Sequence, residues 1–114
     1  YQKMGKDQKS RRLYEHIIDI QPGHPVALNN LAWLLATTPD ETLRDPVRAI
    51  ELAKQAVALE SSPGFLDTLA EAYYKNGQTA RAVKTIRKAI AAAKENRDYY
   101  ESQLKRFLAG EDSP

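Results

Sequence analysis

His16 and His24 are the two imidazoles of this 114-residue chain, and neither stands at metal-ligand spacing from a third donor. One falls in a helical pattern and the other in a Gly-His-Pro turn. The chain has no cysteine, which excludes thiolate chemistry and disulfides. It has no Gly-rich phosphate loop, Gly-x-Ser-x-Gly elbow or His-Glu-x-x-His. Its Asp and Glu residues are numerous but scattered, so neither catalysis nor a cofactor is expected. What is left is chemistry for holding something. Asn29 and Asn30 each offer an amide donor and acceptor, suited to an extended peptide backbone. Trp33 and Tyr74 offer the amphipathic contact area that dominates interface hot spots. Asp67 and Glu71, four residues apart, form a like-charge pair that costs a helix about 0.2–0.5 kcal/mol. An acidic wall built from them would favour a basic segment.

Each of these residues also has a plainer role available. Trp33 would cover the segment around Pro39, and the two asparagines would satisfy local helix hydrogen bonds. Asp67 and Glu71 would form a solvated face. Tyr99-Tyr100 reads as packing of the last helix rather than as a stacking platform.

The stretch from Leu66 to Ile90 positions most of these groups. Leu66, Leu69, Ala70 and Tyr73 keep helical spacing, and Ala82, Val83, Ile86, Ala89 and Ile90 keep it again after Gly77. Gly77 suits a left-handed helix stop, and Gln78-Thr79 offers a cap for the helix that follows. Alanines at 70, 72, 82 and 89 let the two helices approach closely. The same form occurs upstream. Leu28, Leu31-Ala32 and Leu35 precede Ala49, Ala53 and Ala56, with Asp45-Pro46 as a start signal. Between them Thr37 to Asp45 holds an insertion, in which Thr38 and Glu41 suggest a capping box and a short helical turn. Tyr1-Gln2-Lys3-Met4-Gly5 echoes Tyr73 to Gly77, so Gly5 reads as a hinge before a helix from about Asp7 to Ile20. A last helix, about Arg97 to Ala109 and capped by Asn96, carries an apolar stripe of Tyr100, Leu104, Phe107 and Leu108. Arg97, Glu101, Lys105 and Arg106 are expected to keep the rest of that helix wet.

Leu66, Leu69-Ala70, Tyr73, Gly77, Ala82 and Ile86 resemble the tetratricopeptide repeat, with Leu66 in place of the commoner Trp and Lys94 in place of the closing Pro. Leu31-Ala32-Trp33-Leu34-Leu35-Ala36-Thr37-Thr38-Pro39-Asp40 with Arg44-Asp45 is similar to a variant recurring in bacterial members. The resemblance implies an all-α superhelix of stacked antiparallel helix hairpins, about six helices in all. Its divisions would be a half repeat at 1–24, a repeat at 25–62 with its insertion at 37–45, a repeat at 63–96 and a capping helix at 97–109. A disordered tail would fill 110–114. Gln103, polar where Leu31 and Leu69 stand, suits a solubilising cap. The resemblance also implies a concave groove lined by Val26, Asn29, Trp33, Ala36 and Thr37 in one repeat. Gly64, Asp67, Glu71, Tyr74 and Lys75 take those places in the next. With Asn30, the groove set is Asn29, Asn30, Trp33, Asp67, Glu71, Tyr74 and Lys75. Gly64 and Thr68 stand where chaperone-binding relatives need cations, which argues against capture of a chaperone tail.

The function so implied is a protein–protein interaction scaffold that holds a peptide segment in the groove. The alternative is a structural spacer or self-association module. The chain begins without Met and reads as part of a longer protein, which leaves bacterial cytoplasm and periplasm both open. A helix at Leu13 to Ile18 lacking a partner on one flank would associate with a second copy through Tyr1, Met4, Leu13 and Ile17. No apolar run is long enough for membrane insertion within the chain. A net charge of +2, with no aromatics among the basic residues, argues against nucleic acid.

Overall fold

Proline opens three of the helices of this chain, each at a first-turn position where its missing N–H costs nothing. The computed structural model describes residues 2–111, with side chains from Lys6 onward. Its elements are α1 (Gln2–Ile20), α2 (Pro25–Thr37), α3 (Pro46–Leu59), α4 (Pro63–Lys75), α5 (Thr79–Ala92) and α6 (Arg97–Ala109). The fold is all-α, and the six helices pack as sequential antiparallel pairs.

The caps explain where these helices start. Asp45 Oδ1 accepts the Arg48 N–H at 3.1 Å, and Ser62 Oγ accepts that of Phe65 at 3.3 Å. His24 caps α2 through Nδ1, which accepts the Ala27 N–H at 3.1 Å. Gly77, at φ 78°, ends α4: the Gln78 N–H reaches the Tyr73 carbonyl and the Gly77 N–H that of Tyr74. Gly110, at φ 75°, ends α6 with the same pair of bonds, from Glu111 to Arg106 and from Gly110 to Phe107.

Local chemistry differs from the sequence reading at five points. Gly5 lies inside α1 and is no hinge. Glycine permits a left-handed turn without requiring one, and its neighbours Lys3, Met4 and Lys6 favour helix. The expected short turn between α2 and α3 forms without a Thr38–Glu41 box: Thr38 Oγ1 accepts the Asp40 N–H at 3.2 Å, and Asp40 Oδ1 accepts both the N–H and the hydroxyl of Thr42. The Gln78 side chain accepts from Asn76 Nδ2 and leaves α5 without a side-chain cap. Asn96 holds a left-handed backbone at φ 59°, and its carbonyl, rather than its side chain, meets the first N–H groups of α6. Helix α5 stops at Ala92, although the run Ala91-Ala92-Ala93-Lys94 predicts its continuation to about Glu95.

The two leucine stripes point inward. Leu28, Leu31 and Leu35 on α2 and Leu66, Leu69 and Tyr73 on α4 are all buried, each leucine worth about 1.5–3 kcal/mol of removed apolar surface. Ala32, Ala36, Ala49, Ala53 and Ala56 have no exposed surface and set a close approach of α2 and α3, as Ala70, Ala72, Ala82 and Ala89 do for α4 and α5. Helix α4 is the centre of the stack. Every residue from Phe65 to Tyr73 is buried, because α2, α3 and α5 pack around it and side chains of α6 close over it. Leu108 departs from the expected α6 stripe and is 62% exposed, whereas Arg106, expected in solvent, is 6% exposed. No helix among the described residues is long and apolar enough to cross a membrane.

Candidate functional site

The pairing of α2 with α4 leaves an open concavity of about 610 Å³ on one face of the stack. Helix α2 contributes Asn29, Asn30, Trp33, Leu34 and Thr37, and the turn after it adds Thr38 and Pro39. Asp67 and Thr68 enter from α4, and Tyr99 from α6. A third wall, absent from the sequence reading, comes from Asp7, Ser10 and Tyr14 of α1. It is tied down where the Thr38 hydroxyl donates to Asp7 Oδ2 at 2.8 Å. Glu15 of α1 also accepts from Arg48 of α3 at 2.8 Å, a bond that, with Arg11 beside it, lowers the Glu15 pKa.

Four of the seven expected groove residues line the concavity together: Asn29, Asn30, Trp33 and Asp67. Asn29 Nδ2 faces Asn30 Oδ1 at 3.5 Å, and Asn29 Oδ1, sealed from solvent, has no hydrogen-bond partner among the described residues. Trp33 lines the same space as Thr37, Thr38 and Pro39. Of the neighbouring positions, Ala36 is fully buried and does not reach the groove, and Val26 is exposed away from it.

Glu71, Tyr74 and Lys75 do not line the concavity, and α6 packs over the first two. Glu71 has no exposed surface and forms an ion pair with Arg106, with Lys75 Nζ 4.0 Å from its other oxygen. The Tyr74 ring packs on Phe107 at 4.6 Å between centroids, and its hydroxyl donates to the Glu111 carbonyl at 2.7 Å. The Arg106 guanidinium lies over both rings, 5.2 and 4.9 Å from their centroids. Gly110 and Glu111 are therefore held, while the remainder of the expected tail, 112–114, lies outside the described residues. These bonds and ring contacts converge on one seam between α4 and α6.

Gln103 belongs to that seam and not to a solvated cap. It is 2% exposed and donates through Nε2 to Asp67 at 3.2 Å and to Glu71 at 3.4 Å, while its Oε1 accepts from Arg106 Nε. Desolvation raises the pKa of Asp67 to about 6, and Glu71 one turn along the helix adds to it. Desolvation raises that of Glu71 as well, opposed by Arg106. Tyr99 and Tyr100 face the same carboxylates from α6 and are raised in turn, again mainly by burial. The signals for this seam were in the sequence: carboxylates spaced i, i+4 on one helix, and an amide and a guanidinium spaced i, i+3 on another.

Tyr1 and the side chain of Met4 lie outside what is described. Leu13 is 56% exposed on α1 and Ile17 half-buried, with Ile20 and Val26 exposed beyond them. No group of three or more His, Asp or Glu is placed to hold a metal ion among the described residues.

The tetratricopeptide repeat family model matches residues 65–100, from the start of α4 into α6. A repeat of that kind is a general protein–protein interaction module, and typically non-catalytic. No curated protein and no solved structure matches the chain.

Proposed function

We propose that this chain holds an extended segment of another polypeptide in the concavity bounded by α1, α2, α4 and α6. The observation that carries the reading is the gathering of Asn29, Asn30 and Trp33 around an open space of about 610 Å³. Trp33, Tyr14 and Tyr99 supply apolar contact around it, and Ser10 a hydroxyl. The hydroxyls of Thr37 and Thr68 donate to the Trp33 and Gly64 carbonyls and can only accept from a ligand. Asn29, Asn30, Trp33 and Asp67 are the contact residues, and Glu71 and Tyr74 act behind them by fixing α6, with Lys75 beside Glu71. The test is a screen of an octapeptide array followed by Asn29→Ala and Trp33→Ala. Binding that falls at least tenfold in both variants supports the groove, and undiminished binding in both excludes it.

A second reading, self-association without a groove ligand, is favoured by one observation. Leu13 and Ile20 lie on a face of α1 that no other described helix covers.

A further inference from the structure

The charged side chains lining the concavity are Asp7 and Asp67, with no lysine, arginine or histidine among the lining residues. This acidic lining occurs in a chain whose net charge is +2. The cation nearest to hand is already committed, since Arg106 pairs with Glu71 and is buried there. Asp67 is left with a hydrogen bond from the neutral Gln103 amide and with no ion pair among the described residues. The remaining neighbours do not supply a positive charge. Glu71 lies on its own helix, Tyr99 and Tyr100 face it from α6, and α2 carries no titratable residue. Trp33, Tyr14 and Tyr99 stand around the same space and present ring surface to an aliphatic stem or a guanidinium.

We infer that the polypeptide segment held in this groove carries a lysine or arginine whose cationic head seats against Asp67, with its stem along the aromatic wall. The inference rests on the groove reading and narrows it to basic segments. Charge complementarity of this kind fixes register and rejects acidic partners, which meet two carboxylates and no cation. It also accounts for a buried carboxylate that the Gln103 amide and the Arg106 charge compensate only in part. Burial keeps the Asp67 pKa at about 6, and a bound cation relieves that cost.

The experiment uses the whole chain and an array of acetylated octapeptides randomised at their central positions. Retained sequences are resynthesised with citrulline for arginine or acetyl-lysine for lysine, and affinities are read by fluorescence anisotropy. The expected result is enrichment in arginine or lysine, with at least tenfold weaker binding of the neutral analogues to the unaltered protein. Asp67→Asn is expected to weaken the basic peptides similarly and to leave the neutral ones unchanged. Peptides that lose affinity in Asn29→Ala and Trp33→Ala but show no basic preference overturn this inference and leave the groove standing. Peptides indifferent to both variants, or an array that retains nothing, overturn the groove and this inference with it.

Discussion

Arg106 of α6 lies against Glu71 of α4, thirty-five residues away, with 6% of one side chain and none of the other reaching solvent. Around them Gln103, Asp67, Tyr74 and Phe107 complete a polar and aromatic seam that fastens the last helix to the central one. Such a pair gains little over a well-packed apolar one, but removing either partner strands a charge.

Arg106→Ala therefore is expected to destabilise the fold by about 3–5 kcal/mol in urea unfolding, because Glu71 is left buried with a hydrogen bond from Gln103 and a distant Lys75. The double variant Glu71→Leu with Arg106→Met removes both charges. It is expected to recover most of that loss, and a double variant as unstable as Arg106→Ala alone would show that the pair is not the cause.

Asp67 gives the stability a pH dependence of definite sign. Its folded pKa, about 6, lies above the ordinary 3.8, so the folded state binds the proton more tightly than the unfolded one. The stabilisation from that proton is full below pH 3.8 and is lost as pH rises through 6. The distance between those two values sets a ceiling of roughly 3 kcal/mol on the effect. Glu71 moves in the same direction, since burial outweighs the opposing Arg106, and so adds to a pH dependence of the same sign. Asp67→Asn is expected to be more stable than the parent at pH 8 and to have lost about half of that advantage by pH 5. Equal differences at both pH values would count against the assignment.

Two glycines separate what the sequence showed from what it did not. Gly5 and Gly77 stand in matching pentapeptides, yet one is helical and the other left-handed. Gly5→Ala is expected to stabilise the protein by about 0.5–1 kcal/mol, since it relieves glycine entropy inside a helix. Gly77→Ala, with open space around the new methyl but φ at 78°, is expected to cost about 1–2 kcal/mol. Thermal melts of the two variants should move in opposite directions.

The hairpin pattern was legible because leucine stripes and alanine contacts obey a 3.6-residue period that burial alone enforces. Leu28, Leu31, Leu66 and Leu69 needed no partner to be named before they could be placed inside. Asp67, Glu71 and Arg106 were different. Their positions on a helical wheel are polar, and only the docking of α6 turns three charged residues into an interior network. The α1 wall of the groove was missed for the same reason. Asp7 joins the site through Thr38, thirty-one residues on, a contact no local spacing encodes.

The open face of α1 supplies the last prediction. Leu13 is 56% exposed and Ile20 69% exposed, and Val26, 52% exposed, follows at the start of α2. A second copy covering two such side chains removes apolar surface worth about 1.5–3 kcal/mol for each, enough to bring weak dimerisation into the range that sedimentation velocity detects. The sedimentation coefficient is expected to rise with concentration and to stop rising in Leu13→Lys with Ile20→Lys. Both substitutions fall on exposed positions, so the folded state should survive them. A parent chain that sediments as a monomer at the highest concentration would dispose of the self-association reading. It would leave the groove untouched, because neither Leu13 nor Ile20 lines it.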